Sequence, residues 1–161
     1  MPNSKIVLEH TKRSTELANL IINDIDMFLE NNNIDFETVD IYISSEGLSY
    51  GSKGDAALNL ATYKGVLLSK LYEHYNIHLK GLYTYPPITL KSTAGCAKKG
   101  KLSDKFEMIK AFANEKINVS FKNALLNKEL IAKTNFIPCV DDIVDSYFAI
   151  KTMLIKEKFI K

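Results

Sequence analysis

A chain of 161 residues with 46% apolar and 25% charged side chains can bury a core, which excludes a disordered or low-complexity polymer. Its net charge of +2 is too small to argue for nucleic acid alone, so that case rests on local clusters. Cys96 and Cys139 stand in no metal or redox spacing and read as reduced thiols. No apolar leader follows Met1 and no run nears the roughly 18 residues of a membrane span, so one cytoplasmic domain over 1–161, with no membrane partner, is expected.

In chain order, residues 5–8 are a short apolar run that reads as the end of a strand. Residues 11–30 carry Leu17, Leu20, Ile21, Ile25, Phe28 and Leu29 at helical spacing, and Asn31 to Asn33 stop that amphipathic helix. Residues 39–45 are β-branched or aromatic on both faces, which predicts a strand inside a sheet. The glycine- and serine-rich stretch 46–55 reads as a loop. A helix follows over 55–75, with Ala57, Leu60, Ala61, Gly65, Leu68, Leu71 and Tyr72 on one stripe, its small residues implying close packing. A strand over 79–85 ends at Pro86-Pro87.

Residues 88–91 lead into a lysine-rich loop over 92–101. Ser103 or Asp104 caps a helix through about 114, and residues 117–137 carry only a weak helical pattern. Asp141 reads as the N-cap of a last helix to about 156, with Val144, Tyr147 and Phe148 as its buried stripe. Strands alternating with helices predict an α/β layered fold with parallel pairing.

Three acids carry the chemistry. Glu46 closes the apolar strand 39–45, where α/β folds place ligands, although a solvated loop acid has the same local sequence. Asp142 and Asp145 share one helix face at i, i+3 and could share a cation, while capping and the helix dipole account for such acids without one. A strand-tip carboxylate facing two on a helix suits metal-dependent phosphodiester cleavage. Around it, Lys53 tips the loop after Glu46, and Lys91, Lys98, Lys99 and Lys101 stud a small-residue loop able to neutralise phosphates. Gly95 to Lys101 matches the start of a Walker loop, but Leu102 stands where its Ser/Thr belongs, so that match is chance. His10, His74 and His78 form no ligand motif, and no Gly-x-Ser-x-Gly nucleophile occurs.

Three segments then resemble one family in order. Ile43 to Gly54 with the following helix resembles the second acidic motif of RuvC-type Holliday-junction resolvases, particularly bacteriophage members. Pro87 to Lys99 is similar to that family's Pro-x-x-Leu/Val-Lys segment and Gly/Lys loop, and Asp142 to Ile150 to its closing Asp-x-x-Asp-Ala motif. The resemblance spans about residues 11–155. It implies a ribonuclease H-like mixed sheet flanked by helices, and a Mg²⁺- or Mn²⁺-dependent two-metal endonuclease of DNA recombination and repair, cutting branched DNA as a homodimer. Glu46, Asp142 and Asp145 become metal ligands and catalytic acids, while Lys53, Lys91, Lys98 and Lys99 become DNA contacts. In a bacteriophage protein the compartment is the host cytoplasm.

The family opens with a strand bearing its first Asp, and here no Asp precedes Asp24, so the resemblance reads as N-terminally truncated. Two alternatives follow: a catalytically silent ribonuclease H-like module that binds DNA or protein, or a fragment completed by a second chain that supplies the strand.

Overall fold

The computed structural model describes residues 4–47, 54–96, 105–117 and 140–160. The architecture is α/β and mostly helical. Among the described residues it comprises α1 (Ser4–Asn31), β1 (Ile41–Glu46), α2 (Asp55–Tyr75), β2 (Leu79–Tyr85), α3 (Pro87–Thr93), α4 (Lys105–Ala113) and α5 (Val140–Lys156). β1 and β2 pair in parallel as a two-stranded sheet. Short 3-10 turns at Phe36–Thr38 and Asn76–His78 lead into the strands.

Local chemistry accounts for most boundaries. No glycine or proline interrupts residues 4–31, so α1 runs back through the apolar residues 5–8 that read as a strand end. Asn33, at φ 55°, and Asn76, at φ 43°, take left-handed backbone after α1 and α2, a role short amides tolerate better than most side chains. Asp35 accepts from the Glu37 amide at 3.0 Å and caps the turn before β1. Pro87 starts α3, where its missing N–H costs nothing. Residues 88–91, read from the sequence only as a stretch leading into the lysine-rich loop, therefore lie in a helix.

The internal contacts gather into two compact units. The first takes α1, β1 through Ile43, α2 and β2 through Leu82. Its core is Ile22, Leu71 and Tyr75, with Ile25, Phe36, Ile41, Ile43, Leu67 and Leu79 against it. Tyr75 donates to Asp26 Oδ1 at 3.0 Å, and His74 Nε2 lies 2.9 Å from Asp26 Oδ2, so one carboxylate of α1 holds two rings of α2. Burial, then the bond to Asp26 and its charge, push the Tyr75 phenol well above its ordinary range.

The helix faces differ from the periodicity reading. Ser14, Ala18 and Ile22 form the buried side of α1, while Leu17, Leu20 and Phe28 are 48%, 60% and 62% exposed. On α2, Leu71 and Tyr75 are buried, but Leu60 and Tyr72 stand out in solvent. Among the described residues nothing lies within 4 Å of a Cβ built on Gly65, so the close packing expected there is not seen among them.

The second unit takes the end of β1 from Ser44, the end of β2 from Tyr83, and α3 to α5. Its core unites Leu90 of α3, Met108, Ile109 and Phe112 of α4, and Val144, Phe148 and Ala149 of α5. Thr152 of α5 meets Thr93 of α3 hydroxyl to hydroxyl at 2.8 Å, pairing a polar group that is 1% exposed. No residue of β1 or β2 is fully buried, unlike the interior strand expected over 39–45. With two strands among the described residues, each is an edge.

Candidate functional site

The site lies wholly in the second unit and starts from the end of β1. Ser44 Oγ donates to the carbonyl of Ala149 at 2.7 Å, tying this strand end to α5. The Ser45 hydroxyl lies 3.3 Å from the Tyr83 carbonyl and 3.2 Å from Thr84 Oγ1. The Gly47 amide donates to the Tyr85 carbonyl at 2.7 Å, and a Cβ at Gly47 would stand 3.1 Å from that oxygen. Residue 47 is glycine because the neighbouring strand's backbone comes this close. Glu46, the exposed last residue of β1, is thus held between two anchored positions.

Three helices supply the other walls. α3 places Lys91 by burying its neighbour Leu90, which is 1% exposed. α4 contributes Met108 and Ile109. On α5, Asp141 and Asp145 stand at i, i+4 with Val144 between them, and Val144 is 1% exposed. Glu46, Lys91, Asp141 and Asp145, with Pro87, Met108, Ile109 and Val144, line one cleft of about 190 Å³.

Of the acids expected at the site, Glu46 and Asp145 share this cleft. Asp142 does not line it and is exposed on the adjoining face of α5. Asp141 takes its place. α5 begins at Val140, so Asp141 lies inside the first turn instead of capping it. The sequence did carry this information. Asp141 is three residues before Val144 and seven before Phe148, and so falls on the apolar stripe that faces inward. Lys91, expected on a loop, sits on α3. Lys53, Lys98 and Lys99 lie outside the described residues.

Chemically the cleft sets three hard oxygen donors and one ammonium over an apolar floor. That donor set fits Mg²⁺ or Mn²⁺ in kind, since carboxylate oxygen is their preferred ligand and the described lining residues include no thiol or imidazole. Among the described residues no three His, Cys, Asp or Glu side chains are grouped tightly enough to hold an ion. The acids share a cleft without forming a ready-made ligand set.

A second cleft, of about 270 Å³ in the first unit, was not anticipated. Asp26, Leu29, Glu30, Ile34, Asp35, Phe36 and His74 line it. Two of its acids already serve the fold: Asp26 meets His74 and Tyr75, and Asp35 caps a turn. Among the described residues no helix is long and apolar enough to cross a membrane. Compared with known proteins, the chain matches no family model, no curated protein and no solved structure.

Proposed function

We propose that this chain is a metal-dependent endonuclease acting on branched DNA, built on a ribonuclease H-like fold of the RuvC type. One observation carries the reading: a carboxylate at a strand end and two on one face of the last helix line a common cleft with a lysine. Glu46, Asp141 and Asp145, which line the cleft together, would hold the cation. A bound divalent cation supplies Lewis acidity at a phosphodiester and lowers the pKa of water.

The remaining steps belong to the chain. Lys91 places a positive charge where a phosphate oxygen would lie, and so fixes the DNA backbone in the cleft. Met108, Ile109 and Val144 exclude water from its floor, which strengthens the lysine–phosphate attraction. Backbone contacts of this kind select junction shape over base sequence. Asp142, exposed beside them, is the acid this reading leaves out.

The test is cleavage of a synthetic four-way junction and a linear duplex by the full chain with Mn²⁺ or Mg²⁺. Glu46→Gln, Asp141→Asn and Asp145→Asn should each cut junction cleavage by about 100-fold or more, with Asp142→Asn within roughly threefold of wild type. Equal, metal-independent activity in all the proteins identifies a contaminant and removes the proposal. Junction binding without cleavage makes the chain the binding module instead.

A further inference from the structure

Ser44 and Glu46 stand two residues apart on β1, so their side chains leave the same face of the strand. Asp145 and Ala149 stand four apart on α5, one turn from each other on one face of the helix. The two spacings match in length. Two residues forward along a strand advance about 6.6 Å, and four residues back along a helix about 6 Å. Ser44 Oγ meets the Ala149 carbonyl at 2.7 Å, and one such step beyond that bond carries β1 to Glu46 and α5 to Asp145. Those two carboxylates line the same cleft.

We propose that Ser44 is a positioning residue: its bond to Ala149 sets the register of β1 on α5, and with it the spacing of the acids that would hold a divalent cation. The inference rests on the nuclease reading above and adds to it a residue that does not line the cleft. Packing alone restrains this strand end weakly, because no residue of β1 is fully buried, whereas Ala149 is 0% exposed. The Ala149 carbonyl takes the extra bond at no loss to α5, since its second lone pair serves the helix amide four residues on.

Ser45 supplies the contrast. Its hydroxyl leaves the opposite face of β1 and lies 3.3 Å from the Tyr83 carbonyl and 3.2 Å from Thr84 Oγ1, both on β2. That arrangement ties strand to strand and does not reach the helix. Groups that orient metal ligands from behind typically cost about 10- to 100-fold in metal affinity or activity when removed. Ser44 acts through the backbone rather than on a carboxylate, which puts its effect at the low end of that range and in affinity.

The test is Mn²⁺ binding by the full chain without DNA, read by electron paramagnetic resonance, beside the Mn²⁺ dependence of four-way-junction cleavage. Ser44→Ala should weaken Mn²⁺ binding about tenfold and raise the Mn²⁺ needed for half-maximal cleavage equally. Its rate at saturating Mn²⁺ should stay within roughly threefold of wild type. Ser44→Thr keeps the hydroxyl and should restore both, and Ser45→Ala should bind Mn²⁺ within roughly twofold of wild type. Circular dichroism should show equal helicity in every variant. Mn²⁺ binding that Glu46→Gln abolishes and Ser44→Ala leaves unchanged overturns this inference and spares the nuclease reading. A wild type that binds no Mn²⁺ removes both. Lost helicity in Ser44→Ala, or equal losses of affinity in Ser44→Ala and Ser45→Ala, makes the hydroxyl a folding group alone and overturns the inference as well.

Discussion

Glu115, just past the end of α4, holds that helix to α5 with both carboxylate oxygens. Tyr147 Oη donates to one at 2.8 Å and Lys151 Nζ to the other at 2.5 Å. The Lys151 and Glu115 side chains are 26% and 23% exposed, so the pair is better shielded than a surface ion pair. A charge-assisted hydrogen bond contributes about 1.5–3 kcal/mol when well shielded, and partial exposure brings each of these nearer 1–1.5. Glu115→Ala should therefore cost about 2–3 kcal/mol. Some is retained because the Lys151 ammonium stays 6.0 Å from the Phe148 ring.

For a chain of this size that loss lowers Tm by roughly 5–10 °C, read by circular dichroism and by tyrosine fluorescence in urea. Glu115→Gln keeps an acceptor for Tyr147 and should lose about half as much, and a double-mutant cycle with Tyr147→Phe should show coupling of about 1 kcal/mol. The alkaline limb gives a second readout. Burial first, then the bond to Glu115 and its charge, push Tyr147 up to about 12. The folded state favours the neutral phenol, so its stabilisation is whole below the ordinary value of about 10 and is lost as pH climbs through 12. Tyr147→Phe should flatten that limb. A cost under about 0.5 kcal/mol for Glu115→Ala, or no coupling, refutes the claim that this carboxylate holds α4 against α5.

Two further substitutions probe how the cleft is held. Leu90→Ala opens a cavity beneath α3 and should cost about 2–5 kcal/mol in urea unfolding, because Leu90 is 1% exposed in the core that anchors Lys91; a loss below about 1 kcal/mol would show that α3 is not fixed by that side chain. Gly47→Ala sets a methyl 3.1 Å from the Tyr85 carbonyl, a backbone atom that cannot yield without loosening its 2.7 Å bond to the residue 47 amide. It should cost about 1–2 kcal/mol and speed hydrogen exchange at that amide, and a neutral result would mean the strand ends have slack.

What the chain carried locally was legible before any coordinates. The helix over 55–75 and the strand over 79–85 appear with the expected ends, because Asn76 and the Pro86-Pro87 pair stop regular structure by backbone chemistry alone. The inward stripe of α5 through Val144 and Phe148 is likewise written in its spacing, and read back by one more turn it names Asp141. α3 was harder. Seven residues, the first of them a proline, hold too few turns for a helical period, and docking of Leu90 against α4 and α5 supplies what propensity lacks.

Which of two apolar faces a helix buries was settled only in three dimensions. α1 carries apolar side chains over more than half of its circumference, so periodicity could not tell the Ala18–Ile22 side, covered by its own unit, from the Leu17–Leu20 side left to solvent. The same holds for the cleft. Glu46 and α5 lie almost a hundred residues apart, and the bond from Ser44 to Ala149 ties the strand end that carries Glu46 to the helix that carries the other acids. Caps and turns are properties of a few consecutive residues, whereas burial belongs to whatever distant surface arrives to exclude the water.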